Sequence, residues 1–415
     1  MTMTTGEDVW RRETPHILAA LMRRFGDFAA CEDAVQEALL EASQQWPSAG
    51  VPNKPRGWLL RVASRRLIDA KRQDGARLER ERRVFARDHP DESFIAEAAV
   101  EDRDSSLEVL ALCCHPSLKP EAQVTLALRA VLGLSTEQIA ALYFIPSATA
   151  GQRISRAKTT IDQHGRHFPH PDTATDRLPA MLHALYLMFT AGHSRLNGKD
   201  LFDREVTSEA LRLARLLHAS LPDETETAGL LALMLLSEAR RPGRRNPTGE
   251  LVTLRDQDRT RWNAKMISEG VRLLETVLPT GPVGAYQLQA AISAVHSEAS
   301  TWEETDWAQI VELYSMLARV APSPTVTLNY AVAVSEVHGP RAALEMLEPL
   351  LADKRMSRSH RLFAVRAPML EALGDLAEAL AAYRTASRLC TNVPEQRYLN
   401  AQITRLSKEL DAEKI

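Results

Sequence analysis

Ser135-Thr136-Glu137-Gln138-Ile139-Ala140-Ala141-Leu142-Tyr143-Phe144-Ile145-Pro146-Ser147-Ala148-Thr149-Ala150-Gly151-Gln152-Arg153-Ile154-Ser155-Arg156-Ala157-Lys158 is the stretch on which the reading of this chain turns. Ser135 and Gln138 are spaced as a capping box, the serine hydroxyl accepting from the Gln138 amide while the glutamine side chain reaches back. That signal starts a short helix over Thr136–Tyr143. Phe144-Ile145-Pro146-Ser147 forms a tight turn, and a second helix runs over Ala148–Ile161. Within it Ala150, Ile154, Ala157 and Ile161 recur at the three-and-four spacing of a buried stripe, which turns Thr149, Gln152, Arg153, Arg156 and Thr160 outward. Glutamine and arginine on the second helix of such a pair are suited to base edges and phosphates in a major groove. An ordinary helical hairpin has the same outline.

Outward from this stretch, apolar residues recur at helical spacing almost everywhere and no convincing alternation of strands is found. Ala, Leu, Arg and Glu dominate and aromatics make up 5% of the chain, a composition that favours helix. The fold class expected is therefore all-α, and 415 residues suit two or three domains. A formal net charge of −3 rules out a uniformly basic coat but allows a locally basic face.

Such a face lies upstream. Gly57–Arg72 reads as a helix with Trp58, Leu59, Val62, Ala63 and Leu67 on its inner side. Arg61, Arg65 and Arg72 share a different face. The basic tract continues through Arg77, Arg80, Arg82, Arg83 and Arg87. Guanidiniums in a row suit a phosphate backbone, where each contact releases counterions and anchors register; a solvated face partnered by Glu79 and Glu81 is the alternative. Before it, Glu32–Ala42 reads as an amphipathic helix with Val35 and Leu39 inward and Asp33, Gln36, Glu37 and Glu41 outward, followed by a loop over Trp46–Arg56. Asp88–Asp104 carries carboxylates at linker density, and Pro169 and Pro171 mark a second linker. The expected organisation is a domain over 1–87, an acidic linker over 88–104, a domain over 105–164, a linker over 165–176 and a helical extension over 177–415.

Glu32-Asp33-Ala34-Val35-Gln36-Glu37-Ala38 and Pro55-Arg56-Gly57-Trp58-Leu59-Leu60-Arg61-Val62-Ala63 resemble the second conserved domain of sigma-70 family initiation factors. The stretch from Ser135 to Lys158 is similar to their fourth domain. The third domain is missing, as in the extracytoplasmic-function group. This resemblance implies a factor that binds core RNA polymerase and directs promoter recognition. Asp33, Gln36, Glu37 and Glu41 would meet the clamp helices of the β′ subunit, with the β subunit as a further partner. The Trp46–Arg56 loop and the helix after it, with Arg56, Arg61, Arg65 and Arg72, would open the −10 element of promoter DNA. Trp46 and Trp58 are the candidates for base stacking. Thr149, Gln152, Arg153, Arg156 and Lys158 would read the −35 element. Many members of the group carry Asn where this chain has Arg65, so the −10 base preference does not carry over at that position.

The remainder exceeds any minimal sigma factor. Ala379, Tyr383 and Ala386 follow Gly374-Asp375 with the spacing of the second helix of a tetratricopeptide repeat, and Phe363, Ala367 and Leu370 fit the first. A weaker copy lies at Ala343, Leu347 and Leu350 after Gly339. Stacked helix pairs are expected over about 324–410. Strings such as Asp256-Gln257-Asp258-Arg259 and Thr305-Asp306-Trp307 resemble the C-terminal extension of one extracytoplasmic-function group. There the extension is the regulatory element, open to a protein or small-molecule ligand. That group usually has Asn-Glu-Gly-Tyr where this chain has Thr190-Ala191-Gly192-His193.

No apolar run approaches the roughly 18 residues that span a bilayer, and the N-terminus lacks the pattern of a secretory signal. Four scattered cysteines fit a reducing compartment, so a cytoplasmic protein without membrane contact is expected. Cys113-Cys114-His115 and the His164, His167, His170 series mimic metal clusters. Adjacent cysteines point to different sides of a helix, and Pro169 breaks the histidine series. No cofactor, metal or catalytic set is expected, and no phosphate loop, nucleophile elbow or zinc motif is found. The rival readings are a ligand-sensing helix-turn-helix repressor or activator and a tetratricopeptide-type scaffold.

Overall fold

The computed structural model describes residues 5–78, 104–143, 145–164, 175–193, 204–354 and 356–412. Eighteen α-helices and no strand occupy these residues, apart from an isolated antiparallel bridge between Arg245 and Leu251. The chain is all-α, as its spacing predicts. It divides into two compact units, Met1–Met188 and Phe189–Ile415. The division falls inside the helix Leu178–His193, beyond the expected boundary at 176/177. Arg177 belongs with the first unit, where its Nη1 donates to the Ala111 carbonyl at 2.8 Å.

In the first unit α1 (Thr5–Phe25), α2 (Phe28–Ala49) and α3 (Pro55–Leu78) form one bundle. The helix α2 is longer at both ends than its apolar pattern suggests. Asp27 caps it, accepting from the Ala30 amide at 2.9 Å, and Gly50 ends it with φ +80°. Pro47 is accommodated inside its last turn. Trp46 is consequently helical and not in a loop. It is 5% exposed, with its ring 6.0 Å from Trp10 and edge-on to Trp58 at 5.5 Å. Base stacking by Trp46 is thereby corrected: the indole is spent on the core. Leu59, Val62, Ala63 and Leu67 of α3 are buried as expected and Trp58 is half-buried.

The second bundle holds α4 (Ser106–Cys113), α5 (Pro120–Ala130), α6 (Thr136–Tyr143) and α7 (Ser147–His164). The capping box forms: the Gln138 amide donates to Ser135 Oγ at 3.2 Å, and the Ser135 amide donates to Gln138 Oε1 at 2.8 Å. Ala150, Ile154, Ala157 and Ile161 are all buried. Cys113 and Cys114 are fully buried; burial, with Cys114 and Glu32 adding to it, pushes the Cys113 thiol well up, and burial takes Cys114 to about 12. His115 Nδ1 bonds to the Ser117 side chain. Most of the acidic linker, along with His167 and His170, lies outside the described residues.

The helix Leu178–His193 is α8, and α9 (Arg204–Ser220) and α10 (Thr225–Ala239) follow it. The second unit continues with α11 (Ala264–Val277), α12 (Ala285–Glu298), α13 (Trp307–Val320), α14 (Pro324–His338), α15 (Pro340–Ala352), α16 (His360–Ala372), α17 (Leu376–Leu389) and α18 (Val393–Ala412). The expected helix pair is present in α16 and α17, where Ala367, Leu370, Ala379, Tyr383 and Ala386 are buried in one cluster with Phe363 against it. Gly374 makes the turn between them at φ +83°, a left-handed conformation that a Cβ disfavours. Ala343, Leu347 and Leu350 are buried on α15.

The first helix pairs of this unit are joined by a carboxylate. Glu226 of α10 accepts from the Tyr286 and Gln287 amides at the start of α12, each at 3.0 Å, and so caps that helix. Gly229 permits the approach, because a Cβ there would come within 2.7 Å of the Gln287 backbone nitrogen. Gly229→Ala is therefore expected to cost about 1–3 kcal/mol, the usual penalty for overpacking, read by urea unfolding. A neutral or stabilising result would mean that the two helices are not packed this closely.

Between α10 and α11 the chain runs through three short 3₁₀ turns over 241–261. The Asp256-Gln257-Asp258-Arg259 string lies here and is structural. Asp258 caps its own turn through the Thr260 amide at 3.0 Å, and Asp256 accepts from the Thr253 hydroxyl. Arg259 donates to the carbonyls of His296 and Ala299 at 2.8 and 2.9 Å.

Candidate nucleic-acid interface

On α7, Gln152 and Arg156 are exposed, and Thr149 and Arg153 are half-exposed beside them. Thr149, Gln152 and Arg156 turn away from the buried stripe, and Arg153 flanks it. Lys158 does not join them. It is 8% exposed, its ammonium bound to Glu32 and, at 2.6 Å, to Asp33 Oδ1. Glu32 is fully buried and also accepts from Arg129 Nε of α5 at 2.8 Å. A network of two carboxylates and two cations thus ties α2 to α5 and α7. It borders a cleft of about 320 Å³ lined in part by Asp33, Arg129, Gly151 and Lys158.

On α3, Arg61 and Arg65 are exposed side by side on the outer face, while the side chain of Arg72 lies outside the described residues. Arg56 is engaged within the bundle, donating to Glu13 Oε2 at 2.6 Å. On α2, Asp33 and Glu37 are exposed and Glu41 and Gln36 are half-exposed. Arg66 bridges Glu37 at 3.7 Å and Glu41 at 3.0 Å. The Gln36 Nε2 is buried with no acceptor among the described residues.

Two features escape the sequence pattern. Leu40, on the same face as Asp33 and Glu37, is 60% exposed. The doublet Leu39-Leu40 carried that signal, since only one of two adjacent residues can face the core. Arg129 reads as a surface residue at a helix end, and its bond to Glu32 depends on a contact across 97 residues of chain.

No helix among the described residues is long and apolar enough to cross a membrane. The one group of metal-ligand atoms brought within 4.8 Å, among the described residues, is His360, Cys390 and Glu395. Its members satisfy one another: His360 pairs with Glu395 at 2.9 Å and the Cys390 thiol reaches the Asn392 carbonyl at 3.5 Å. Burial raises that thiol to about 11, and Arg361 and Arg244 act on Glu395. A divalent cation would have to displace a protonated thiol's proton beside two guanidiniums, so the set does not fit a metal.

The sigma-70 region 2 family matches residues 9–77, the bundle that carries α2 and α3. That bundle carries the sigma-70 region 2 domain. Over 160 residues it is 29% identical to "Probable ECF RNA polymerase sigma factor SigI" of two strains of Mycobacterium tuberculosis, covering 37% of this chain and 53% of that protein. A protein of Rhizobium meliloti (strain 1021), described only as uncharacterized, is 38% identical over 400 residues, covering 95% of this chain and 94% of the other. That likeness carries the extension as well as the sigma region. Residues 177–278 match a family of unknown function, DUF6596, so one polypeptide carries both a sigma-70 region 2 match and this one. No solved structure matches it.

Proposed function

We propose that this sigma factor binds core RNA polymerase in the cytoplasm, directs it to a promoter through −10 and −35 contacts, and is regulated through its helical extension. The observation that carries the reading is the order of parts: a sigma-70 region 2 bundle, followed by a capped helix-turn-helix that turns Gln152 and Arg156 to solvent. Asp33, Glu37 and Glu41, with Leu40 between them, form the polymerase-facing surface on this reading. Arg61 and Arg65 take the −10 region, and Thr149, Gln152, Arg153 and Arg156 take the −35 duplex. RNA synthesis itself belongs to the polymerase. The Lys158 ammonium is held by Glu32 and Asp33, so DNA contact at Lys158 requires those bonds to part.

The test is run-off transcription by core polymerase with and without the full-length chain on a cognate promoter. Defined new start sites are expected, with weak duplex binding by the chain alone. Unchanged start sites, or tight sequence-specific binding without core, would favour a conventional repressor or activator instead. Arg153→Ala and Arg156→Ala are expected to reduce −35-dependent initiation by about 1–3 kcal/mol where the arginine meets a base, and less where it meets a phosphate. Equal activity of both variants and the parent would remove α7 from promoter recognition.

A further inference from the structure

The bundle of α1, α2 and α3 and the bundle that holds the helix-turn-helix meet along one seam. Within it Glu32 of α2 is fully buried between Arg129 of α5, at 2.8 Å, and the Lys158 ammonium of α7. Elsewhere along it Arg23 of α1 pairs with Glu108 of α4 at 3.3 Å. In the turn between α5 and α6, Gly133 adopts φ +63° against α1 and α2. A Cβ on it would lie 2.9 Å from Thr14 Oγ1, 3.6 Å from Thr14 Cβ and 3.7 Å from Leu39 Cδ1. Thr14 and Leu39 are buried, so the seam is packed at van der Waals distance as well as joined by ion pairs.

Such a seam is specific in geometry and modest in net energy. Glu32, Arg129 and Lys158 give up hydration to meet there, and the attraction within a buried ionic set does little more than offset that loss. Removing one member strands the others, whereas parting the bundles returns all three to water together. The closed arrangement is also too small for a promoter. Met1–Met188 is one compact unit, and a unit of that length has a radius of gyration of about 16 Å and a diameter of ~40 Å. Elements at −10 and −35 are separated by more than two turns of duplex, ~70 Å or more. Arg61 and Arg65 of α3 and Gln152 and Arg156 of α7 are presented on that one unit, so they cannot meet both elements while the seam is closed.

We propose that this seam is an autoinhibitory latch, closed in the free chain through Glu32, Arg129 and Lys158 and parted in the promoter-engaged complex with core polymerase. The inference rests on the sigma reading and adds its regulation. The free chain holds its two promoter-binding faces at the wrong spacing, and the parted state becomes populated because polymerase and promoter bind it better.

A covalent bridge across the seam of the full-length chain tests the latch. Thr14→Cys with Gly133→Cys puts two Cβ atoms 3.6 Å apart, inside the range a disulfide spans, and the chain's own four cysteines are buried. The reduced double variant is expected to initiate like the parent in run-off transcription with core polymerase. Its oxidised form should give about tenfold less transcript or lower, and dithiothreitol should restore it. Preincubation with core polymerase and promoter should slow disulfide formation by a similar factor. Should the left-handed backbone at position 133 keep Gly133→Cys from folding, Arg23→Cys with Glu108→Cys, joined by a short bismaleimide, closes the seam at its other contact and should give the same loss. Equal transcription from bridged and unbridged chains overturns the latch and leaves the sigma reading standing. A bridge that forms in neither free variant overturns it too, because the free chain is then not closed. A parent chain that starts no transcript removes the sigma reading, and the latch with it.

Discussion

Replacing Glu32 with alanine should lower the unfolding free energy of the N-terminal unit by about 3–5 kcal/mol, the loss that follows when one side of a buried ion pair is removed. Glu32 is fully buried and meets two cations, Arg129 at 2.8 Å and Lys158 on α7. Their side chains are only 14% and 10% exposed, so water cannot replace the lost carboxylate. The variant leaves Arg129 without its carboxylate and Lys158 with Asp33 alone, between three helices. Asp33 is the internal control. It also bonds Lys158, at 2.6 Å, but its side chain is 67% exposed, and Asp33→Ala should cost about 1 kcal/mol or less. Urea unfolding followed by circular dichroism separates the two. Similar losses for Glu32→Ala and Asp33→Ala would mean that the network is held at the surface and does not lock α2 to α5 and α7.

That network also marks where sequence reading stops. Local signals were legible: the Ser135–Gln138 capping box, the Ala150–Ile161 stripe and the Gly374 turn depend on residues within a few positions of one another, and all three form. Periodicity placed the helices and separated inner from outer residues on α3 and α7. It made no assignment for Lys158, which only the resemblance places on the −35 element. By angle this residue lies beside the stripe, and whether it meets solvent or protein depends on Glu32, far away in the chain. Trp46 was misread for a related reason. Pro47 argues for a loop, but the indole packs on Trp10 and Trp58, and that burial outweighs what one proline costs in a last helical turn. The resemblance named the partners and the direction of each face; it could not say which charged residues were already engaged within the chain. Arg56 and Lys158 are engaged, whereas Arg61, Arg65, Gln152 and Arg156 are presented to solvent.

Acid should destabilise the C-terminal unit well before its carboxylates are protonated. Burial, followed by the nearby Arg240 and Arg259 charges, lowers the His296 pKa from 6.5 to about 3. The folded state therefore keeps this ring neutral while the unfolded chain binds a proton below pH 6.5. Because the folded pKa is depressed, the contribution is fully present above the unfolded value and is lost as pH falls towards the folded one. The loss from His296 alone is about 2 kcal/mol at pH 5 and about 3 kcal/mol at pH 4. Burial also lowers His193 and His218, which act in the same direction. His296→Phe keeps a ring against Trp302 and Trp307 and gives up no bond at Nδ1, which has none. Urea unfolding of both proteins at pH 7, 6, 5 and 4 should give a steeper decline for the parent, the gap opening by about 2 kcal/mol between pH 7 and pH 5. Parallel declines would mean that His296 binds its proton equally well in the folded chain. The crowding of cations around Arg240, which helps keep that proton off, would then be weaker than the structure requires.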